Sequence, residues 1–288
     1  MLDGIIILNK QKGCTSHDVV AKTKRLLKEK VGHTGTLDPN ATGVLPLLVG
    51  QGTKLSAYLI EHDKEYIATL KLGEKRDTAD SEGAIIEERQ IDCSVLQKEN
   101  VEKILQSFIG KQEQIPPMYS AIKVNGKKLY EYARAGQEVE RVEREIEIYN
   151  ISVENIDFEN NEIRFRVACS KGTYIRTLCE TIAEKLGTIG YMKDLQRTKV
   201  DKFLIKDSVT LAELEQCDDK SKYIISIEKI FEEKERIDLN QRKTKLFLNG
   251  VQLTNAFNDG VYRVYTNDKF LGLGTIKNGL LKRDIIIE

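Results

Sequence analysis

Hydrophobic and polar residues along this chain follow two different spacings, and the first of these predicts strands. Residues 4–9 form an apolar run typical of a short buried strand. In 66–72 every second residue faces one side, which indicates a strand with one buried face. Two further strands are expected at 146–153 and 163–167, joined by a turn at Asn160-Asn161.

The second spacing is helical. Thr15 and Asp18 have the separation of a capping box, so a helix is expected to begin there. Apolar residues three and four apart predict helices at 101–108, with Gly110 as its stop, and at 175–186. Because strands and helices do not alternate strictly, we expect an α+β fold, with a mixed, largely antiparallel sheet flanked by helices.

The last fifth of the chain consists of short apolar stretches separated by turn residues. The turn pairs are Asn249-Gly250, Asp259-Gly260, Asn267-Asp268 and Asn278-Gly279. This pattern predicts a small β-rich domain at 236–288, after a larger domain at 1–235. The acidic stretch 213–235 between them is interpreted as a connector or a peripheral helix.

Charge changes the picture only when it is resolved along the chain. The 288 residues hold 45 Lys+Arg and 45 Asp+Glu, and a net charge of zero argues at first sight against a nucleic-acid partner. The charges are nevertheless sorted, because the blocks 1–60, 116–144, 169–206 and 236–288 are net basic. We expect folding to gather these blocks on one side, although chance variation over solvated faces gives the same count.

Composition excludes several classes of protein. With 40% hydrophobic and 31% charged residues, the chain is neither disordered nor fibrous. It has no apolar run long enough for a membrane span and no signal-peptide pattern at its start. Five cysteines without a CxxC pair and only three histidines predict a cytoplasmic protein without a metal site.

The stretch 32–43 is the richest in candidate chemistry. Pro39 stiffens the loop and restricts Asp38, while Gly35 and Gly43 permit unusual backbone angles. The loop therefore holds one carboxylate on a rigid turn beside hydroxyl groups and His33. On the pattern alone, Asp38 is also compatible with an ordinary turn in which it accepts backbone hydrogen bonds.

Arg176 is the second candidate. It lies in the first turn of a predicted helix, where a cation opposes the helix dipole. We therefore expect a phosphate or a carboxylate nearby, with a solvated surface arginine as the alternative. Tyr66 shares a face with apolar residues and is equally compatible with a core position.

At this point the motifs resemble a known family. The stretch 32–46 is similar to the signature loop of the TruB family, the tRNA pseudouridine-55 synthases. Further stretches resemble the family in the same order, at 4–13, 64–66, 77–83, 115–121, 172–176, 195–198 and 270–282. The resemblance implies a pseudouridine synthase fold with a PUA-like RNA-binding domain at the end. It also implies isomerisation of uridine in the T-loop of tRNA without a cofactor or a metal.

The resemblance also implies roles for individual residues. Asp38 matches the catalytic aspartate, acting as a nucleophile or as a base at the ribose, and Arg176 matches its partner. Tyr66 matches the tyrosine stacked on the target base. Four further matches concern substrate binding: Tyr174 and Leu195 in the base pocket, Lys10 in the opening motif, and His33 in the space left by the flipped nucleotide.

Residues 113–142 resemble a mobile RNA-clasping insertion of the family, with a solvated helical hairpin as the alternative. Its candidate phosphate contacts are Lys123, Lys127, Lys128, Arg134 and Arg141. Three residues depart from the family pattern: Gln11 in place of proline, Gln196 in place of arginine, and Asp201 in place of glycine.

By the same resemblance the expected partner is the T-stem-loop of tRNA, bound by a monomer without an obligate protein partner. Three alternatives stay open at this point. They are a catalytically inactive RNA-binding protein on the same scaffold, a guide-RNA-dependent synthase, and a hydrolase that uses Asp38 and releases uracil.

Overall fold

A computed structural model describes residues 2–59 and 62–287. The helices in these residues are α1 (Ser16–Leu27), α2 (Ser56–Leu59), α3 (Lys98–Gln106), α4 (Leu129–Arg134), α5 (Ile175–Lys185), α6 (Leu211–Gln216), α7 (Ile227–Ile230) and α8 (Gln241–Leu248). The first nine strands are β1 (Gly4–Lys10), β2 (Val31–His33), β3 (Thr42–Val49), β4 (Lys64–Leu72), β5 (Glu74–Arg76), β6 (Ile85–Glu88), β7 (Gly110–Gln114), β8 (Lys123–Val124) and β9 (Lys127–Lys128). The others are β10 (Arg144–Asp157), β11 (Glu162–Cys169), β12 (Gly190–Val200), β13 (Phe203–Leu204), β14 (Ile225–Ser226), β15 (Arg236–Asp238), β16 (Leu253–Thr254), β17 (Gly260–Thr266), β18 (Lys269–Lys277) and β19 (Leu280–Ile286).

The main sheet has the strand order β14-β1-β3-β12-β4-β11-β10-β7, with β2 added on β3 and β13 on β12. Among its strand pairs in the described residues, β3 with β12 is parallel and the others are antiparallel. The expected α+β class and the mixed, largely antiparallel sheet are therefore confirmed. The parallel contact is short, and it joins the start of β3 to the end of β12.

The apolar faces read from the sequence lie in the core. Tyr66, Ala68, Leu70 and Leu72 of β4 are all buried. Their strand lies between β12 and β11, whose inward residues at 163–167 are fully buried. Helices α3 and α5 cover this face of the sheet, so α5 is fixed directly above the strands that frame the candidate site.

Helix boundaries follow local chemistry. The capping box of Thr15 and Asp18 is present at the start of α1, which confirms that prediction. Helix α3 ends at Gln106, whereas Gly110 begins strand β7, so the predicted stop at Gly110 is wrong. The chain had already left the helix because Ser107 closes the last turn with bonds from its N–H to preceding carbonyls.

The β-rich end of the chain is confirmed. Strands β15 to β19 form a second sheet in the order β15-β17-β18-β19-β16. The turns Asn267-Asp268 and Asn278-Gly279 join its central strands, and all four residues have positive φ, as a tight two-residue hairpin loop requires.

The acidic stretch 213–235 is more than a connector or a peripheral helix. It contains the end of α6 and the short helix α7, but it also contributes strand β14, which pairs with β1 at the edge of the main sheet. The segment forms a strand despite its acidic composition, because a strand at the edge of a sheet needs hydrogen bonds to only one neighbouring strand, here β1.

The two sheets share a hydrophobic cluster. Val44 and Leu48 of β3 pack in it together with Leu273 and Ile285 of the second sheet. Strand β3 is thus buried on both sides, and it is the strand into which the loop of the candidate site leads. Among the described helices, none is both long enough and apolar enough to cross a membrane.

Candidate active site

Asp38 lies on the loop between β2 and β3, here named the Asp38 loop (residues 34–41). Ser16 at the start of α1 holds the middle of this loop, because its Oγ donates to Leu37 O at 3.1 Å and accepts from Leu37 N–H at 2.9 Å. The loop closes with a bond from Ala41 N–H to Asp38 O at 3.1 Å. At Gly43, where φ is 105°, a Cβ atom would lie 2.2 Å from a backbone oxygen of β12, so only glycine fits.

A buried lysine binds the loop from one side. Lys10, at the end of β1, has no exposed surface, and its Nζ donates to Pro39 O at 2.9 Å and to Ala41 O at 2.6 Å. A third bond goes to Gln11 O at 3.1 Å. All three donors of the ammonium group are used on main-chain oxygens. The geometry therefore gives Lys10 a role in holding the loop, and its predicted contact with substrate stays a prediction.

A buried arginine binds the loop from the other side. Arg197 of β12 is 1% exposed, and it donates to Gly35 O at 3.0 Å and to Thr36 O at 3.4 Å. Its Nε also donates to Val44 O at 2.7 Å. The three nitrogen atoms of one planar guanidinium thus hold two segments, the start of the Asp38 loop and the beginning of β3. Arg197 was part of a motif in the sequence, but its partners are distant along the chain, so no local pattern assigned it this role.

The Asp38 carboxylate faces Arg176 in the first turn of α5. The distance from Arg176 Nε to Asp38 Oδ2 is 3.2 Å, and a second carboxylate, that of Asp80, lies 3.6 Å from Arg176 Nη1. Arg176 is 6% exposed, so the expected anion is present and the surface alternative is excluded. Two carboxylates offset both the burial of this cation and its unfavourable place at a helix start.

Asp80 was missed as a site residue. It is buried in the turn after β5, where its Oδ1 accepts from Thr78 Oγ1 at 2.6 Å and from Glu82 N–H at 3.0 Å. The motif at 77–83 was visible in the sequence, but spacing does not show that it folds back onto α5. The outcome is a row of three alternating charges, Asp38, Arg176 and Asp80.

Burial dominates the titration of these groups. It raises the pKa of Asp38 above the ordinary value, the Arg176 guanidinium opposes that rise, and the Asp80 carboxylate adds to it. Burial also raises the pKa of Tyr66, against the nearby Arg197 guanidinium, so Tyr66 is a neutral phenol at neutral pH. For His33, burial and then Arg197 lower the pKa, which favours the neutral imidazole.

The remaining predicted site residues surround this centre to different extents. Leu195 of β12 lines a small pocket together with Asp38 and Asp80. Tyr66 is buried on β4 in register with Arg197, and Tyr174 is the N-cap residue of α5, without a capping bond from its side chain. His33 ends β2, just before the Asp38 loop, and its Nδ1 has no hydrogen-bond partner in the described part of the chain.

The insertion is a β-hairpin followed by one short helix, not a helical hairpin. Strands β8 and β9 meet at an Asn125-Gly126 turn, and α4 follows directly. The basic candidates lie along these elements or after them: Lys123 in β8, Lys127 and Lys128 in β9, Arg134 at the end of α4, and Arg141 beyond it.

None of these five cations pairs with Asp38 among the described contacts, and their contact with RNA stays a prediction. Lys127 lies over the ring of Tyr132, with 4.5 Å from Nζ to the ring centroid. Arg141 Nη1 donates to Pro116 O at 3.1 Å, within the insertion. The insertion reaches the site through its backbone instead, because Arg176 Nη2 donates to Tyr119 O at 2.7 Å.

The departures from the family pattern have local explanations in two cases. Asp201 begins the turn between β12 and β13 with φ of 52°, which is why glycine suits this position and aspartate is tolerated. Gln11 donates to Asn9 O at 3.3 Å across the turn that follows β1. Gln196 pairs with Thr42 at the parallel contact of β12 with β3, and nothing in the structure explains its identity.

The residues described contain no cluster of three or more His, Cys, Asp or Glu side chains suited to a metal ion. The site offers a carboxylate held by a guanidinium, beside a small pocket that Leu195 helps to line and a buried phenol, that of Tyr66. Such a group acts as a nucleophile or as a proton acceptor.

Comparison with known families matches three consecutive parts of the chain. Residues 23–175 match the N-terminal domain of the TruB family pseudouridylate synthases. Residues 176–232 match the C-terminal domain of tRNA pseudouridylate synthase B, and 236–283 match the C-terminal domain of pseudouridine synthase II TruB. The first match alone spans more than half of the chain and contains Asp38.

Individual relatives agree with these matches. The tRNA pseudouridine synthase B of Clostridium kluyveri is 45% identical over 285 residues, which is 96% of each chain. That of Oceanobacillus iheyensis is 46% identical over 257 residues, covering 88% of this chain and 84% of the relative. Among solved structures, a chain of a Cbf5-Nop10-Gar1 complex superposes with a TM-score of 0.72 at 25% identity, covering all of this chain and 84% of that one.

Proposed function

The chain belongs to the TruB family of pseudouridylate synthases, and we propose that it converts uridine 55 in the T-loop of tRNA to pseudouridine. That it is a pseudouridine synthase follows from the family and from relatives over almost its full length. The position in tRNA and the part played by each residue are the proposal. The observation that carries it is the Asp38–Arg176 pair beside the pocket of Leu195.

The reaction is an isomerisation whose atoms balance without a co-reactant. The bond from N1 of uracil to C1′ of the ribose breaks, the base rotates, and a bond from C5 to C1′ forms. The proton on C5 is then lost and N1 gains one. Asp38 supplies the carboxylate this sequence needs, either as a nucleophile or as a base at the ribose.

Arg176 keeps that carboxylate oriented. Its Nε lies 3.2 Å from Asp38 Oδ2, and its charge opposes the rise in the pKa of Asp38 that burial causes, which favours the ionised carboxylate. Tyr66 and Leu195 offer an aromatic ring and an apolar side chain for an extruded base. Extrusion is required because a base cannot be detached and rotated inside a stack.

Lys10 and Arg197 act on the reaction through the backbone. Each is buried, and each donates to carbonyl oxygens on one side of the Asp38 loop. A positioned carboxylate loses much of its effect when it is displaced by about 1 Å. We therefore place both cations among the positioning residues of the site.

The remainder of the molecule holds the substrate. We propose a catalytic domain at 1–235 and a PUA-like domain at 236–288, with the insertion predicted at 113–142 contacting the T-stem-loop. His33 and Tyr174 contribute near the flipped nucleotide. We propose action as a monomer in the cytoplasm, without a protein partner.

A second candidate is a guide-RNA-dependent synthase, which the structural likeness to a Cbf5 chain in a complex with Nop10 and Gar1 favours. The relatives named tRNA pseudouridine synthase B are more similar over nearly the whole chain. Activity on a bare tRNA transcript, without a guide RNA or added protein, separates the two.

The proposal is tested by incubating the protein with an unmodified tRNA transcript and mapping pseudouridine by carbodiimide-dependent primer-extension stops. We expect a stop for position 55 with the wild-type chain. Asp38→Asn should lower the single-turnover rate by about 10³-fold or more, because the amide is neither a nucleophile nor a base, while tRNA binding changes little.

The matched control is Asp92→Asn, an exposed aspartate that caps a short turn and makes no ion pair with Arg176 among the described contacts. It should retain the wild-type rate. Product at another uridine would contradict the assignment to position 55, and full activity of Asp38→Asn would overturn the role of Asp38. Release of free uracil would indicate a hydrolase instead.

A further inference from the structure

The insertion is joined to the main sheet at one pair of directly opposite residues, here called one rung. Strand β7 ends at Gln114 and β10 begins at Arg144, and these two residues are paired across the sheet. Residues 115–143 therefore leave and re-enter the sheet at directly opposite positions. Inside them, β8 and β9 pair with each other in a separate two-stranded sheet. Gln114 is thus the last residue of β7 before the chain leaves the sheet, so the insertion starts in the structure at 115 and not at 113 as predicted.

The side chain of Gln114 does not face solvent but binds the main chain of Tyr174. Its Nε2 donates to Tyr174 O at 3.0 Å, and its Oε1 accepts from Tyr174 N–H at 2.8 Å. Gln114 is 8% exposed. Tyr174 is the N-cap residue of α5, so this glutamine sets the backbone at the point where that helix begins.

Arg176 follows two residues later and is tied to the same segment. Its Nη2 donates to Tyr119 O in the insertion at 2.7 Å, while its Nε lies 3.2 Å from Asp38 Oδ2. The first turn of α5 is therefore bound to the base of the insertion twice, once through the backbone of Tyr174 and once through the side chain of Arg176. Any shift between the insertion and α5 changes the direction of Arg176.

We propose that Gln114 is a positioning residue for the isomerisation, which fixes the start of α5 to the base of the insertion and so aims Arg176 at Asp38. It acts through Tyr174 and Arg176 and does not itself touch the reacting atoms. The inference rests on the role of the Asp38–Arg176 pair in the proposed function.

The chain offers a matched control two residues earlier. Gln112 lies on the same face of β7, but its Nε2 donates to Phe108 O at 2.7 Å and makes no bond to α5. We expect Gln114→Leu to lower the single-turnover rate on saturating tRNA by about 10- to 100-fold, as small displacements of catalytic groups do. The Kd for tRNA should stay within about threefold, and Gln112→Leu should keep the wild-type rate.

A double-mutant cycle with Arg176→Lys separates positioning from general damage to the fold. If Gln114 acts through Arg176, Gln114→Leu should cost less than about threefold in the Arg176→Lys background, because the group that it aims is already gone. Full multiplication of the two losses would overturn the proposal, as would a wild-type rate in Gln114→Leu or an equal loss in Gln112→Leu.

Two choices keep the test decisive. Gln114→Asn carries the same amide on a chain one methylene shorter, so it should show the same loss of rate if the leucine variant does not fold. Product is counted as pseudouridine at any uridine of the transcript. A wrong position in tRNA then appears as product elsewhere in the wild-type reaction, separately from the effect of Gln114.

Discussion

The Asp38 loop and the insertion both contact Arg176, but they are held in place by different means. The Asp38 loop is short, and two buried cations, Lys10 and Arg197, donate to its carbonyl oxygens from opposite sides. The insertion is long and carries one exposed and two half-buried lysines, and it leaves the sheet and returns at one rung. Arg176 binds the carboxylate of the first segment and a carbonyl oxygen of the second.

These two ways of holding a segment correspond to two requirements of an enzyme that acts on a large substrate. Chemistry at a single carboxylate needs that group fixed before the substrate arrives, since ordering it later would use binding energy. Contact with an RNA surface tolerates side chains that adjust on binding. The fold meets the first requirement with buried hydrogen bonds, and on the proposed function it leaves the second to the insertion, outside the core.

The largest effect is expected when Arg176, the residue that contacts both segments, is replaced. Arg176→Gln should lower the single-turnover rate by about 10²- to 10³-fold, the range found when one preorganised electrostatic partner is lost. Without the opposing cation, the pKa of Asp38 rises further above its ordinary value. In the proposed mechanism Asp38 acts as its carboxylate, so activity should be lost as pH falls through that pKa, and the acid limb should move to higher pH.

The measurement is the single-turnover rate between about pH 5 and pH 9. Arg166→Gln is the control, because that partly exposed arginine of β11 pairs with Glu65 and Glu154 and not with Asp38. An acid limb at the same pH in wild type and Arg176→Gln would contradict the proposed pairing.

A smaller effect should follow when one cation that binds the Asp38 loop is removed. Lys10→Met removes the lysine donor to Ala41 O and one of the two donors to Pro39 O, which still accepts from Gly13 N–H, and we expect a loss of about 2–3 kcal/mol in the free energy of unfolding. Lys54→Met is the matched control, since Lys54 also donates to a main-chain oxygen, that of Ile286, but at an exposed position. Its cost should stay below about 0.5 kcal/mol.

Urea unfolding of the two variants checks this prediction. Equal losses for Lys10→Met and Lys54→Met would show that the buried bonds of Lys10 stabilise the protein no more than the exposed bond of Lys54 does.

The smallest effect concerns the insertion. Replacing Lys123, Lys127 and Lys128 by Gln should weaken tRNA binding by roughly 3- to 10-fold at moderate salt. The slope of the salt dependence should fall by about one for each phosphate group that these lysines no longer bind. The melting temperature should not change.

The charge-matched control replaces three lysines outside the basic blocks, Lys98, Lys103 and Lys111. Filter binding across salt concentrations decides between the two variants. An equal slope in both would count against RNA binding by the insertion.

Much of the fold was predictable because local spacing determines it. The alternation in β4 and the capping box of Thr15 concern neighbours in sequence, and both are present. The anion expected beside Arg176 followed from the helix dipole, a property of the helix start alone.

The parts of the site that were not predicted depend on contacts between distant segments. The sequence did not show that the side chain of Lys10 binds carbonyl oxygens 29 and 31 residues further on. Gln114 binds a backbone 60 residues away, and Asp80 reaches Arg176 through the turn after β5. A polar residue type does not show whether its partner is water, RNA or a buried carbonyl group. Only the assembled sheet decides that.

The measurement that tests the central comparison most directly is amide hydrogen exchange in the free protein. Both segments contain hydrogen-bonded amides: Thr34, Leu37 and Ala41 in the Asp38 loop, and Leu129, Tyr130 and Ala135 in the insertion. If two buried cations hold the first segment, whereas the second is joined to the core at one rung and through the Arg176–Tyr119 bond, the Asp38 loop amides should exchange at least about 100-fold more slowly. Equal exchange rates in the two segments would contradict the claim that the Asp38 loop is held more firmly than the insertion.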